Sequence, residues 1–352
     1  MLFGEEIENS EKSRRSINLV PSYTLQSGIG ISDNPLYAPF IQQEAVYWEN
    51  SLEGFFLFES TPEFFTYLYL YGEGKNFEEL PEQKSTSIYL GQVEHAYTPS
   101  ESDQTYGVRF RHIYYDQGFD YSELGFPYSF SVQSNKSEFI SYFTKKFSEE
   151  LTATFEILLA EEDFKVITDD NKVSGLSLIL KSTPSLLNWT FQAEYLQKRY
   201  EERLRRNWDS TLIAGGKLEN DKLNFSIIAE KESDMLPWKN SKAKLIWSQL
   251  QDNGGSYYDY DKFSLSFKQD LIVSSYNIEF MIGGAFTKYD QRLIENIERF
   301  ELKSLSNGLS ITREISDNLE TYIRWSREED ISNSRDYEYS SNFWSLGVIW
   351  EI

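Results

Sequence analysis

The chain has 352 residues, no cysteine and a formal charge of -22, with 16% aromatic residues and a mean hydropathy of -0.52. The lack of cysteine excludes disulfides and thiolate metal centres, and the acidic balance argues against nucleic acid, whose phosphates need a basic face. No run approaches the roughly 18 apolar residues of a spanning helix, so a bilayer can be crossed only by a closed barrel. A barrel also reconciles low hydropathy with abundant aromatics. Only alternate residues of each strand meet lipid, and Tyr, Trp and Phe collect at the two interfaces.

Residues 1–15, MLFGEEIENSEKSRR, hold no apolar core and read as a polar periplasmic lead from which a signal peptide is already gone. Period-two alternation starts near Ser16 and recurs to Ile352, which predicts one domain over 16–352. Apolar members of successive segments are Leu151, Ala153, Phe155, Ile157 and Leu159; Leu176, Leu178 and Leu180; then Trp189, Phe191, Ala193 and Tyr195. The pattern continues in Leu223, Phe225, Ile227 and Ala229, in Phe263, Leu265 and Phe267, in Tyr276, Ile278, Phe280 and Ile282, and in Leu319, Thr321, Ile323 and Trp325. It ends in Trp344, Leu346, Val348, Trp350 and Ile352. Trp189, Phe191, Trp325, Trp344, Trp350 and Ile352 are thus expected at the lipid face or its aromatic girdle, and the terminal strand is the expected signal to the barrel-assembly machinery.

The connections alternate too. Short turns at Thr61–Glu63, Phe147–Glu150, Ser182–Ser185 and Ser316–Asn318 trade places with longer stretches at Asp33–Gln43, Gly72–Lys84, Asp116–Ser134 and Tyr289–Glu298. This is the asymmetry of short periplasmic turns and longer extracellular loops. The predicted fold is an all-β, antiparallel up-and-down transmembrane barrel. Counting from Ser16 gives about seventeen strands, whereas a single-chain bacterial barrel has an even number. The conflict falls between Arg199 and Gln251 and leaves sixteen or eighteen. A soluble sandwich or propeller also alternates, but the aromatic excess, a strand running to the last residue, and only 9 Pro and 19 Gly oppose it.

The opposite parity is charged. Arg109, Arg111, Glu156, Lys181, Glu194, Lys242, Lys244, Lys262, Lys268, Glu279, Glu320, Arg324 and Glu351 would line a hydrated lumen. For catalysis the chain offers only His95 and His112; the latter is near Tyr114, Asp116 and Ser122 but shares parity with Val108 and Phe110, as a structural or interfacial histidine does. Four acidic runs, at Glu161–Asp163, Asp169–Asn171, Asp252–Asp261 and Glu328–Asp330, read as solvated loops without a full calcium-loop pattern. The basic arm Lys198, Arg199, Arg203, Arg205 and Arg206 could meet lipopolysaccharide phosphates, constrict a pore, or be neutralised by Glu201 and Glu202. No enzyme, cofactor or metal site is expected.

The opening NLVPSYTLQSGIGISDNPLY, through Gly28, Gly30, Ser32, Asp33 and Asn34, resembles the first strand and loop of porin-like outer-membrane barrels of the exopolysaccharide-export type. The resemblance covers about twenty residues. It implies a conduit in the outer membrane of a Gram-negative bacterium, in contact with lipopolysaccharide, that passes a secreted sugar polymer alongside a periplasmic partner. Exporters of anionic polymers are expected to be strongly basic inside, and this mixed lining departs from that. The expectation is a passive channel for hydrophilic solutes or a polysaccharide; the alternative is a scaffolding barrel whose lumen is plugged or holds a partner.

Overall fold

A computed structural model of the protein describes residues 18–352 except 39–41, 62, 79, 81–83, 121–128, 185–186, 234–236 and 295–297. The expected lead at 1–15, together with Ser16, Pro62 and Ser185, lies outside the described residues.

Sixteen antiparallel strands form a closed up-and-down barrel. In chain order they are β1 (Asn18–Ser32), β2 (Ala45–Thr61), β3 (Phe64–Phe77), β4 (Ser85–Tyr97), β5 (Gln104–Asp120), β6 (Ser129–Ser148), β7 (Leu151–Phe164) and β8 (Asn171–Ser182). They continue as β9 (Asn188–Arg206), β10 (Leu212–Glu232), β11 (Trp238–Asp252), β12 (Tyr260–Val273), β13 (Tyr276–Ile294), β14 (Glu298–Ser316), β15 (Leu319–Ser332) and β16 (Tyr339–Glu351). Each pairs with its sequence neighbours, and β16 closes on β1 from Thr24 opposite Glu351 to Ser32 opposite Phe343.

The eighteen-strand alternative is therefore wrong, and the reason sits where the two counts disagreed. β9 and β10 run for 19 and 21 residues. Their ladder slips between Leu212 and Lys217 and again between Lys217 and Glu219, beside Gly215 at φ +76. Each bulge resets the parity, so one long strand reads as two short ones. The basic arm is correspondingly strand, not loop, from Lys198 to Arg206. Likewise Glu161–Asp163 lies in β7 and Glu328–Asp330 in β15. Three of the expected long loops shrink for the same reason: β3 runs to Phe77, β5 to Asp120 and β13 to Ile294. A strand of about ten residues crosses the hydrocarbon, so these strands stand above it, where both faces are wet and alternation fades.

Parity divides the wall. Outward residues include Trp48, Leu159, Leu265 and Leu346, exposed by 50%, 55%, 56% and 59%. Large apolar side chains half-exposed around a whole barrel form a lipid-facing belt, not a water-facing one. The inward face is identified by contacts that skip strands. Tyr322 on β15 donates its hydroxyl to Glu49 on β2 at 2.7 Å, passing over β16 and β1, which only the concave side allows.

That bridge depends on glycine. An added Cβ at Gly28 would overlap the Tyr322 hydroxyl, so glycine leaves the room in which Tyr322 lies flat across β1. Gly107 does the same for Tyr142, whose hydroxyl reaches Glu94 at 2.7 Å. A Gly28→Leu substitution is expected to displace Tyr322 and cost about 2 kcal/mol through overpacking. The cost would be read as a lower temperature for conversion of the compact to the unfolded band on a heated detergent gel; an unchanged temperature would refute the close-packing account.

Candidate functional site in the barrel lumen

Register places every expected lumen residue on the inward face. Arg109 and Arg111 lie on β5, Glu156 on β7, Lys181 on β8, Glu194 on β9, Lys242 and Lys244 on β11, and Lys262 and Lys268 on β12; Glu279, Glu320, Arg324 and Glu351 follow on β13, β15 and β16. Trp189, Phe191, Trp325, Trp344, Trp350 and Ile352 carry the outward parity.

What sequence alone does not reveal is how the charges sort. Lys181, Lys198, Lys222, Lys242, Lys244, Lys262 and Lys268 all come from β8–β12 and form a lysine wall. Glu49, Glu53, Glu73, Glu320, Glu328 and Glu351 come from β2, β3, β15 and β16 and form a facing carboxylate wall, relieved by Lys75 and Arg324. Between them, on β4–β7, charges neutralise each other: Arg109 lies 2.5 Å from Glu94 and 3.8 Å from Glu156, and Glu138 is shared by Arg111 at 3.0 Å and Lys136 at 2.8 Å. Within the lysine wall Lys242 pairs with Glu230, and Lys268 bridges to Glu279 on the next strand. Glu194 accepts from the Asn224 amide at 2.7 Å.

Three hollows follow these walls. Towards the loop end a cavity of 800 Å³ is lined by Tyr115, Tyr200, Tyr258, Tyr260 and Tyr289 with Lys136, Lys198, Lys222 and Arg203. Against the carboxylate wall a cavity of 630 Å³ is lined by Glu49, Glu53, Glu73, Glu279, Glu320 and Glu351 with Lys75 and Arg324. A smaller one of 340 Å³ follows Ser264, Ser266, Gly283, Ala285, Ser304 and Ser306, small residues that keep the wall low; Lys244 and Lys262 border it on one side, Glu328 and Asp330 on the other.

Residues 33–38, at the start of the first loop, fold inward. Leu36 and Tyr37 pack against a core of Ala45, Tyr47, Phe77, Leu80 and Phe343. Its anchor is Asn34, which is fully buried; its amide nitrogen donates to the Ala38 and Ser340 carbonyls at 3.0 Å each, and its amide oxygen accepts from the Ala38 N–H at 2.9 Å. Asp33 accepts from the Asn342 backbone and side chain, both at 2.7 Å. Burial, then the nearby Glu328 carboxylate, push the Tyr37 phenol above its ordinary value, so it stays neutral. Burial likewise raises the Asp259 carboxyl in the loop between β11 and β12. At the loop end Arg292, almost fully buried, is caged by the rings of Tyr289, Phe300 and Tyr337.

The histidines lie elsewhere. His95 and His112 both face outward; His112 Nδ1 is 3.0 Å from Ser137 Oγ, and Glu161, opposite Ser137, is 3.5 Å from the Lys172 ammonium. Among the described residues no carboxylate hydrogen-bonds the imidazole, and no group of His, Asp and Glu is arranged to hold a metal.

No protein-family model and no curated protein matches the chain. Among solved structures, the barrel is similar to OccAB1 of Acinetobacter baumannii, at 10% identity over 99% of this chain and 99% of that one, with a TM-score of 0.52. It is similar also to OccAB3 of the same organism, at 11% identity, 95% and 99% coverage and a TM-score of 0.51. A third is OccK9 (OpdG) of Pseudomonas aeruginosa, at 9% identity, 95% and 99% coverage and a TM-score of 0.50. Identities this low speak to architecture alone, and over almost its whole length the chain shares their closed antiparallel barrel.

Proposed function

We propose that the protein is an outer-membrane channel for small hydrophilic solutes, with the turn end in the periplasm and the loop end outside. The observation that carries this reading is the sorting of lumen charge into a lysine wall and a facing carboxylate wall. Such walls give anionic and cationic groups separate tracks through one pore, and the transverse field between them orients any solute that carries both signs. The inward-folded start of the first loop and the discrete hollows favour small solutes over a sugar polymer.

Single-channel recording in a planar bilayer under a salt gradient tests this. Steady open-channel current is expected, with a reversal potential near zero because both tracks carry ions. A barrel that inserts but stays silent would overturn the channel and favour the scaffolding alternative. A strongly one-signed reversal potential would overturn the two-track reading.

A further inference from the structure

A barrel wall ordinarily bows outward, yet the outside of β5–β10 is indented by a groove of 1210 Å³. Its floor and its upper edge differ in chemistry within a single pleat. Phe110, Phe139 and Leu159 lie side by side across β5, β6 and β7, all about half-exposed. One step towards the loop end, Glu161 faces Lys172 across β7 and β8, and Lys172 faces Arg199 across β8 and β9. Two residues along a strand span roughly 7 Å. The change from apolar to ionic is thus as sharp as that between acyl chains and phosphates in a leaflet.

The ionic edge is held in place by its own ion pairs. The Lys172 ammonium sits between Glu161 at 3.5 Å and Glu201 at 2.7 Å, and Arg199 lies 3.7 Å from Glu219. The Lys172 and Arg199 side chains are nonetheless 60% and 61% exposed, open to a ligand from the membrane side. Lys217 adds a third cation to the same groove.

We propose that this groove is a docking site for a phosphorylated glycolipid of the outer leaflet. Lys172 and Arg199 take its phosphates, the carboxylates they release accept from sugar hydroxyl and amide donors, and an acyl chain lies over Phe139 and Leu159. A plain phospholipid would use only the cations. The proposal rests on the outer-membrane placement above, but it does not require an open pore.

The test is native mass spectrometry of the full-length barrel in detergent, with bisphosphorylated lipid A as the probe and phosphatidylglycerol as the comparison. Wild type is expected to retain lipid A in preference. The double variant K172E/R199E should bind it at least about tenfold more weakly, and L159W, which fills the groove and keeps its charges, should weaken it too. K303E, an outward lysine on β14 far from the groove, should leave binding unchanged, and single-channel conductance should be unaltered in all three. Equal retention of both lipids, equal loss in K303E, or a dimer without lipid would each overturn the docking site. A conducting barrel without lipid preference overturns the docking site alone, whereas a silent one that retains lipid A overturns the channel alone.

Discussion

If the lumen conducts as proposed, replacing Lys244 and Lys262 together by glutamate is expected to shift it from near-zero ion preference to cation selectivity. Both side chains border the small-residue hollow on β11–β14, and Glu328 and Asp330 border its other side. In the native chain opposite signs face each other there; after charge reversal all four positions are negative. In a confined, low-dielectric passage the local concentration of permeating ions follows the exponential of that potential, so the ratio of cation to anion permeability should rise about tenfold. The reversal potential in a salt gradient reads this directly. Glutamate at Lys303, on the outer wall, should leave it unmoved. An unchanged reversal potential in the double variant would mean that ions do not pass this level of the lumen.

An Asn34→Ala substitution should act through geometry instead. Asn34 is buried, and its side chain makes three backbone hydrogen bonds that tie the first loop to itself and to β16. Alanine leaves the Ala38 N–H and two carbonyls without those partners, at about 1–3 kcal/mol for each group that water cannot reach. The loop is then expected to swing off Tyr47 and Phe343, widening the passage. Larger or fluctuating conductance should follow, together with faster cleavage between residues 33 and 44 by protease added from outside. Native conductance and native protease resistance would refute the anchoring role.

Much of this architecture is legible in the residues themselves. β16 announces itself because Trp344, Leu346, Val348, Trp350 and Ile352 stand exposed on the outward face along the whole strand, and nothing disturbs the count. Above the belt the logic fails: Glu328 and Glu329 belong to one strand, yet both faces there are wet and three successive acids look like a loop. Inward parity is equally readable, since it is only the complement of the lipid face. The two walls are not. Which inward lysine sits beside which depends on cross-strand register accumulated over bulges and turns, and no local window contains that information. The opening Gly28, Gly30, Ser32, Asp33, Asn34 stretch shows both sides of the matter. Its turn chemistry is visible, but the reasons for its glycines, Tyr322 and Tyr47, lie elsewhere in the chain.

Until β16 finds β1, an inserting barrel has two raw edges, each able to pair wrongly. The tyrosine bridges bear on that moment. Tyr322 reaches from β15 to β2, Tyr47 from β2 to the Trp344 carbonyl on β16, and Arg324 from β15 to Gln26 on β1 at 2.9 Å. None of these bonds can form within either edge alone, so all of them arrive together when the seam shuts. Closure thus adds three side-chain fastenings to the backbone ladder at a stroke, as Tyr142 does for Glu94 between β6 and β4 earlier in the chain, so the seam is held by more than its own strand pairing.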